Sequence, residues 1–284
     1  MPDVTGNALA ADWIGLCRRA AERMGAMFAE HPATSDRQPG ADRGAGGDRT
    51  LVIDHAAEDA VFAELQTLHA QGCDFTAISE ERGTVVFGDG ASDVRVVVDP
   101  IDGSLNAKRL IPTYSLSIAV AGGATMEDVE IAYVRDFGTG EEFTARREQG
   151  AELNGEPLDP EAAGTSLEVV GFEAARPEWV APVAAQLEGK LYRMRMIGTI
   201  AVSLCYVAAA RFDGMVTTDV CRSVDAAAGQ LIAREAGAFV DFLKHGGIEA
   251  PLDLDARYRM VAARAPEHLE TLVTALTLGR PLDD

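Results

Sequence analysis

The sequence predicts a layered α/β protein, with helices packed on sheets in both halves of the chain. Short apolar runs typical of strands recur along the chain between clusters of Gly and Asp, and helical patterns lie before, between and after them. These elements do not follow the strict strand–helix alternation of a barrel. With 284 residues, 47% of them hydrophobic, the chain can bury a substantial core.

The first half is predicted to combine two helices with a set of strands, which is an α+β arrangement. Apolar side chains recur at helical spacing over residues 9–28, and Asp54 is placed to be the N-cap of a second helix. The intervening residues 31–49 are rich in Gly, Pro, Asp and Arg and lack apolar periodicity, which predicts a mobile loop. Strands are predicted over residues 74–79, 94–98, 114–121, 129–136 and 142–147.

The second half is predicted to be of the α/β type. We place its start after Gly150, so that residues 1–150 and 151–284 form the two parts. One helix should end at Gly237, because glycine readily adopts the left-handed conformation that follows a helix. Helices are predicted over residues 199–211, 225–236 and 266–276, and strands over 167–171, 192–196, 215–218, 238–241 and 259–262.

The composition disfavours several classes of protein. A formal charge of −20 argues against nucleic acid or an anionic membrane as a partner, since both attract clusters of Lys and Arg. The chain shows no secretory signal pattern and no apolar stretch of about 20 residues, so we expect a cytoplasmic protein. Its four cysteines lack metal-binding spacing and are expected to be reduced core residues. A phosphorylated ligand stays compatible with this charge if divalent cations lie between the carboxylates and the phosphate.

The most informative segment is an apolar strand that ends in an acidic turn, VVVDPIDGS at residues 96–104. Proline fixes the backbone of the turn, so Asp99 and Asp102, three residues apart, can aim both carboxylates at one point, which suits a hard cation. If a helical turn starts next, the N–H groups of Gly103 and Ser104 would face an anion beside that cation. The alternative is a structural turn in which both carboxylates only accept local hydrogen bonds.

Further acids are predicted at the ends of rigid elements. Glu80 and Glu81 follow a strand, Asp225 begins a helix rich in small residues, and Asp54 begins another helix. Taken singly, each has an ordinary interpretation as a solvated loop residue or a helix cap. Together they provide what a two-metal phosphoryl-transfer site needs, which is several carboxylates held by separate rigid elements.

The order of these acids, with the DPIDGS segment around Asp99 and the VDAAAG segment around Asp225, resembles the inositol monophosphatase family of lithium-sensitive, magnesium-dependent phosphatases. The resemblance runs through essentially the whole chain. It implies an αβαβα sandwich of the sugar-phosphatase type, an active site between the two halves, and a homodimer. It also implies two to three Mg²⁺ ions in each active site, with Mn²⁺ as an alternative.

The resemblance also assigns roles to individual residues. It implies metal ligands at Glu80, Asp99, the carbonyl group of Ile101, Asp102 and Asp225. It implies catalytic roles for Asp54, Glu80 and Ser104, of which Asp54 and Ser104 would orient and deprotonate the attacking water. It implies phosphate or substrate contacts at Asp102, Gly103, Ser104, Gly198, Thr199 and Asp225. For Gly198 and Thr199, a plain structural glycine turn is the alternative.

Three positions depart from the family pattern. Ser104 stands where the family usually has Thr, and it keeps the hydroxyl group. Val224 replaces the Trp that usually precedes the final Asp. Inositol-hydrolysing members carry an acid seven residues before that Asp, where this chain has Thr218 with Asp219 beside it. Selectivity for inositol therefore depends on whether the turn brings Asp219 into the cleft.

We therefore predict a metal-dependent phosphatase acting on a phosphate monoester of a small metabolite, with inositol monophosphate as the leading substrate. Fructose-1,6-bisphosphate, histidinol phosphate and 3′-phosphoadenosine nucleotides are alternatives, because relatives of the family act on them. A non-catalytic sensor of metal and phosphometabolite is a distant alternative. Such a protein would be expected to lose Asp54, Glu80 or the Ser104 hydroxyl, and this chain retains all three.

Overall fold

The chain folds into five layers in the order helix, sheet, helix, sheet, helix, as seen in a computed structural model. The structure describes residues 8–37, 39–43, 49–159 and 166–280. The αβαβα sandwich implied by the family resemblance is confirmed. Within the described residues, no helix combines the length and the apolar character that crossing a bilayer requires.

The elements are numbered in chain order. The strands are β1 (Pro39–Arg43), β2 (Arg49–Leu51), β3 (Phe75–Ser79), β4 (Gly83–Phe87), β5 (Arg95–Asp102), β6 (Ser115–Ala121), β7 (Val129–Asp136), β8 (Glu142–Arg146), β9 (Gly150–Leu153), β10 (Glu156–Pro157), β11 (Leu167–Glu173), β12 (Leu191–Arg195), β13 (Gly214–Thr217), β14 (Phe239–Phe242) and β15 (Met260–Ala263). The helices are α1 (Trp13–Glu30), α2 (Val52–Ala70), α3 (Ser104–Arg109), α4 (Pro177–Gln186), α5 (Ile200–Ala208), α6 (Ser223–Glu235) and α7 (Pro266–Gly279).

Two sheets form the β layers. The first has eight strands in the order β10-β9-β8-β7-β6-β5-β3-β4, antiparallel except where β3 and β5 run parallel. The second has five strands in the order β12-β11-β13-β15-β14, and β11 runs parallel to both of its neighbours. The chain passes from the first sheet to the second between Pro157 and Leu167, so β9 and β10 belong to the first sheet.

Three apolar cores lie between the layers. Helices α1 and α2 cover one face of the first sheet, α5 and α6 fill the space between the sheets, and α4 and α7 cover the outer face of the second sheet. Because both faces of the first sheet are covered, β6 is buried along its whole length. The four cysteines are buried and free, as predicted: Cys17, Cys73, Cys205 and Cys221.

The segment over residues 31–49 differs from the loop that its composition predicts. Its described part contains a 3₁₀ turn at Thr34–Arg37 and the strand β1, which pairs antiparallel with β2. Arg37 is buried, and its guanidinium group donates to the carbonyl oxygens of Phe28 (3.1 Å) and Ala107 (2.7 Å). The prediction of a loop is therefore wrong for these residues, because an arginine counted as a solvated charge anchors the segment to α1 and α3.

Two helix starts also differ from prediction. Asp54 lies in the first turn of α2, which begins at Val52, so Asp54 does not act as its N-cap. Asp225 is the third residue of α6, and its Oδ2 accepts a hydrogen bond from the backbone N–H of the N-cap residue Arg222 (2.8 Å). At the far end of α6, Gly237 has a φ of +84°, the left-handed conformation predicted for it.

A buried arginine joins the C-terminal ends of the two middle helices. Arg264 is 4% exposed, and its Nη1 donates to the carbonyl oxygens of Ala208 in α5 (3.2 Å) and Ala236 after α6 (2.6 Å). Its Nη2 donates to the carbonyl oxygen of Asp159 (3.1 Å). The last carbonyl groups of a helix have no partner within the helix, and Arg264 donates to one of them at each of these two ends.

Replacing Arg264 with Met is expected to lower the free energy of unfolding by about 2–4 kcal/mol. Methionine fills much of the volume but leaves buried carbonyl oxygens without a donor. Urea unfolding followed by circular dichroism would measure the change. Arg257→Met is a matched control, because Arg257 also donates to a backbone carbonyl, that of Leu254, but is exposed. Equal losses in the two variants would contradict the structural role of Arg264.

Candidate active site

The acidic turn predicted after the apolar strand lies at the end of β5. The pairing of β5 with β6 shifts register between Asp99 and Asp102, so the strand is irregular at this point. Asp99 is 2% exposed, and its Oδ1 accepts a hydrogen bond from the N–H of Ile101 (3.0 Å). This local bond is the structural role considered for the turn, and it fixes the direction of the Asp99 carboxyl group.

Three carboxyl groups from separate elements converge beside this turn. Glu80 follows β3, Asp99 lies in β5 and Asp225 lies in α6, and one oxygen atom of each lies within 4.8 Å of the other two. Oxygen atoms this close can all contact one hard divalent cation. Of the predicted metal ligands, the structure therefore brings these three together.

An arginine that the sequence analysis does not single out lies in the same cluster. Nη2 of Arg222 lies 2.8 Å from Oε1 of Glu80 and 3.2 Å from Oδ1 of Asp225. It places one positive charge among the carboxylates, so a metal ion has to share these oxygens with the guanidinium group or displace it. No motif marks this residue, because its side chain is directed by the start of α6.

Burial and mutual repulsion make Glu80 and Asp99 hard to ionise. Burial raises the pKa of Glu80 to about 8, with the Arg222 charge opposing the rise and Asp225 adding to it. The pKa of Asp99 is raised well above its usual range, first by burial and then by the charges of Glu80 and Asp102. Such a site favours the binding of either protons or a divalent cation.

Asp102 faces the C-terminal half of the chain. It is 7% exposed and accepts hydrogen bonds from the hydroxyl group of Thr199 and the N–H of Ala201 (2.7 Å). These donors form the start of α5, so Asp102 joins the first sheet to the middle layer. Burial raises the pKa of Asp102 to about 7. Of the predicted carboxylate ligands, Asp102 is the one that lies outside the three-oxygen cluster.

A small cavity adjoins the cluster. Its volume of about 20 Å³ suits roughly one water molecule. The cavity brings the predicted catalytic acid Asp54 together with Ser104, the predicted hydroxyl partner, and with the predicted ligand Ile101. Its full lining is Asp54, Glu80, Glu81, Asp99, Pro100, Ile101 and Ser104.

A tight glycine turn leads from the cavity into α3. Gly103 has a φ of +87°, and α3 begins directly afterwards at Ser104. A Cβ atom on residue 103 would lie 3.1 Å from the carbonyl oxygen of Gly198 and 3.2 Å from that of Thr113. Glycine therefore satisfies both the left-handed backbone and the close approach of the two halves. The helical turn considered for this position is present.

A wider cleft of about 320 Å³ is also lined by Asp102. Gly198 and Thr199, the predicted substrate contacts, lie on its wall. Thr199 is also the N-cap of α5, where its Oγ1 accepts a hydrogen bond from the N–H of Val202 (3.2 Å). Thr199 therefore both caps α5 and lines the cleft. The cleft is lined by Asp102, Glu173, Ala174, Ala175, Met196, Gly198, Thr199, Ile200, Val220 and Asp225.

The acid expected for inositol selectivity is not supplied by either candidate position. Thr218 is buried, and its hydroxyl group donates to the carbonyl oxygen of Ala174 (3.1 Å). Asp219 accepts a hydrogen bond from Nη2 of Arg280 (3.0 Å) and is not among the residues that line the cleft. Val224, in place of the family's Trp, is buried in the core between the sheets.

A buried carboxylate in α2 supports the turn that carries Glu80. Glu58 is 1% exposed and accepts hydrogen bonds from the hydroxyl group of Ser79 and the N–H of Arg82 (3.0 Å). These two residues lie on either side of Glu80 in the chain, so Glu58 holds the backbone that carries Glu80. Sequence reasoning misses Glu58 because its partners lie 21 and 24 residues further along the chain.

Comparison with known proteins identifies the family. The sequence model of the inositol monophosphatase family matches residues 13–278, which is nearly the whole chain. The chain belongs to the inositol monophosphatase family. Its layered fold and its resemblance to a phosphatase family are thus confirmed, and the chain is a member of a family of metal-dependent phosphatases.

Relatives in this family carry more than one name. The "Fructose-1,6-bisphosphatase/inositol-1-monophosphatase" of Methanothermobacter thermautotrophicus is 33% identical over 279 residues, covering 93% of this chain and 96% of that protein. The "Nus factor SuhB" of Escherichia coli K12 is 35% identical over 236 residues, covering 80% of this chain and 84% of that protein.

Solved structures of the family share the fold. An inositol monophosphatase–fructose 1,6 bisphosphatase has a TM-score of 0.80 at 23% identity, covering 93% of this chain and 100% of its own. The extragenic suppressor protein suhB of Bartonella henselae has a TM-score of 0.79 at 26% identity, covering 96% of this chain and 100% of its own.

The donor set of the cluster fits the metal dependence of the inositol monophosphatase family. Mg²⁺ prefers oxygen ligands and is usually bound by a small number of carboxylates. Glu80, Asp99 and Asp225 supply such oxygens from three separate elements. Burial raises the pKa values of Glu80 and Asp99, so a cation bound beside them would favour their ionised forms.

Proposed function

We propose that the protein hydrolyses phosphate monoesters of a small metabolite, using Mg²⁺ bound by its acidic cluster. The observation that carries the proposal is the convergence of Glu80, Asp99 and Asp225 within 4.8 Å beside a water-sized cavity. Membership in the inositol monophosphatase family supports it. Two to three ions, with Asp102 and the Ile101 carbonyl as further ligands, are part of the proposal, and Mn²⁺ suits the same oxygen donors.

The remaining residues have places in this reaction. Bound metal would lower the pKa of water and offset the charge that develops on the phosphate and leaving-group oxygens. The carboxylate of Asp54 would take a proton from the attacking water, which the Ser104 hydroxyl orients in the small cavity. The N–H groups of Gly103 and Ser104 would hold phosphate oxygens at the start of α3. Water would attack phosphorus directly, in line with the departing alkoxide and without a phosphoenzyme. The bond from phosphorus to the ester oxygen would break, and the alkoxide would take a proton from solvent water.

The leaving group is assigned to the cleft that contains Gly198 and Thr199. Its volume of about 320 Å³ suits a sugar or polyol. Inositol monophosphate is the first candidate substrate, and fructose-1,6-bisphosphate is the second, since one relative carries both names. Histidinol phosphate and 3′-phosphoadenosine nucleotides stay in the test set, because Thr218 and the pairing of Asp219 with Arg280 favour weak selectivity for inositol hydroxyl groups.

The family resemblance also underlies our proposals for the setting of the protein. We propose a homodimer in the cytoplasm. We also propose that each protomer has two parts, residues 1–150 and 151–284, with β9 and β10 extending the first sheet past residue 150 to Pro157. A formal charge of −20 disfavours nucleic acid as a partner, so we leave the name Nus factor with the relatives that carry it.

Phosphate release from a panel of these esters would test the proposed function. We expect turnover of at least one ester in Mg²⁺, loss of turnover in EDTA, and inhibition by lithium. Recovery of activity on adding Mg²⁺ back after EDTA is the control for irreversible damage. Silence across the panel, with Mg²⁺ binding intact by calorimetry, would overturn the phosphatase proposal and favour a sensor.

A further inference from the structure

Glu173 is a buried carboxylate that the proposed mechanism leaves without a role. It is the last residue of β11, is 1% exposed, and lies at the cleft. Burial raises its pKa to about 7. A buried ionisable group held only by neutral donors is costly, and a well-packed apolar side chain would often give equal or greater stability. We therefore ask which neighbouring groups the Glu173 carboxylate holds in place.

Within the part of the chain that the structure describes, the Glu173 carboxylate accepts hydrogen bonds from one loop and from the helix that follows it. Oε1 accepts from the N–H of Ile197 (3.2 Å) and from the hydroxyl group of Ser203 in α5 (2.7 Å). Oε2 accepts from the N–H of Gly198 (2.9 Å). Hydrogen bonds to a charged acceptor are stronger than those between neutral groups, so this contact can hold the loop firmly.

The loop at residues 197–199 is held from its other sides by residues of the first half. Nδ2 of Asn106 donates to the carbonyl oxygen of Ile197 (2.7 Å). Gly198 has a φ of +80°, and a Cβ atom there would come within 2.8 Å of the Asn106 amide nitrogen. Thr199 donates to Asp102. The loop therefore lies clamped between Asn106 and Asp102 on one side and Glu173 on the other.

We propose that Glu173 is a positioning residue that fixes the wall of the cleft against which the leaving group of the phosphate ester rests. It acts through the amides of Ile197 and Gly198 and touches neither the reacting phosphorus nor the attacking water. This inference rests on the proposed function. Because the loop contacts the leaving group in both the ground state and the transition state, its displacement weakens binding more than it slows the chemical step.

The chain offers a graded set of variants to test this role. Glu173→Ala removes both acceptor oxygens. Glu173→Gln keeps one carbonyl oxygen and presents an amide N–H₂ group to a backbone donor. Ser203→Ala is the matched control, because it removes one hydrogen bond to Glu173 and leaves both amides of the loop bonded.

Steady-state kinetics on the best ester of the panel would be combined with hydrogen exchange of the loop amides. We expect KM to rise about tenfold or more in Glu173→Ala, less in Glu173→Gln, and about twofold or less in Ser203→Ala. We expect kcat to stay within about threefold throughout. The amide hydrogens of Ile197 and Gly198 should exchange faster in both Glu173 variants. This measurement does not require an active enzyme.

The outcomes separate this inference from the proposed function. Suppose that the wild type is active. If Glu173→Gln then has an unchanged KM, whether or not its kcat is reduced, the role of Glu173 alone would be overturned. A wild type that releases no phosphate from any ester would overturn the proposed function and this role together. Glu173→Gln keeps the test valid if Glu173→Ala does not fold.

Discussion

Replacing Asp99 with Asn is expected to lower kcat/KM by about 1,000-fold or more while the fold stays intact. Asp99 is a proposed metal ligand, and one of its oxygen atoms lies within 4.8 Å of those of Glu80 and Asp225. A lost metal contact worth several kcal/mol corresponds to about three powers of ten in rate. The turn should survive, because Asn keeps an Oδ1 that can accept the hydrogen bond from Ile101.

The same substitution is expected to leave the metal-free protein at least as stable as the wild type. Burial and the charges of Glu80 and Asp102 raise the pKa of Asp99, so a neutral amide removes an unfavourable charge. We would measure kcat/KM, Mg²⁺ affinity by calorimetry, and Tm in EDTA. Asp93→Asn, at an exposed acid just before β5, should change none of these. Near-wild-type turnover in Asp99→Asn would overturn the metal-site assignment.

Mg²⁺ is expected to raise the Tm of the protein by several degrees at pH 8.5 and by little at pH 5.5. Burial raises the pKa of Glu80 to about 8 and that of Asp102 to about 7, and it raises the pKa of Asp99 as well. At pH 5.5 the metal-free site therefore holds protons that the metal ion must displace.

The sign of the pH dependence follows from these raised pKa values. An acid whose pKa is higher in the folded than in the unfolded state contributes stability below its unfolded value, near pH 4, and that stability disappears as the pH rises through the folded value. The metal-free protein should therefore lose stability between about pH 4 and pH 8, and Mg²⁺ should restore it at the upper end of this range.

Calorimetric unfolding in EDTA and in Mg²⁺, from pH 5.5 to pH 8.5, would measure this effect. NaCl at matched ionic strength controls for general screening of the acidic surface. In Asp99→Asn, the rise in Tm caused by Mg²⁺ should differ less between pH 5.5 and pH 8.5 than it does in the wild type. An increase in Tm that is equal at both ends of the range, or that NaCl reproduces, would show that Mg²⁺ does not act through these carboxylates.

Local sequence patterns carried the prediction of the main site elements. The apolar run before Asp99 indicated a buried strand, and the proline after it restricted the turn, so the position of both acids at the strand end followed from a few adjacent residues. The order of the acids along the chain then identified the family and its five layers. Asp54 nevertheless lies three residues after the N-cap position, because α2 starts within the apolar run at Val52.

The residues that support the site could not be predicted in the same way. Glu58 and Glu173 are acids on ordinary-looking elements, and their partners are backbone amides and serine hydroxyl groups that only the folded chain brings near. Arg222 enters the cluster because the first turn of α6 directs its side chain there. For Asp102, sequence spacing placed the residue in the acidic turn, but the bonds to the start of α5 depend on how the two halves meet.

The contact of Arg264 with both middle helices has a mechanical consequence. Helices α5 and α6 begin at the cleft and at the acidic cluster, and they end at the same guanidinium group. The nine residues of α5 span about 14 Å, and a hydrogen-bonded helix hardly shortens along its axis. Each helix therefore transmits movement along its axis, and a small movement at Arg264 displaces Thr199 or Asp225 by a similar amount. The spacing between the start of α5 at the cleft and the start of α6 at the acidic cluster thus depends on a side chain at the opposite ends of both helices.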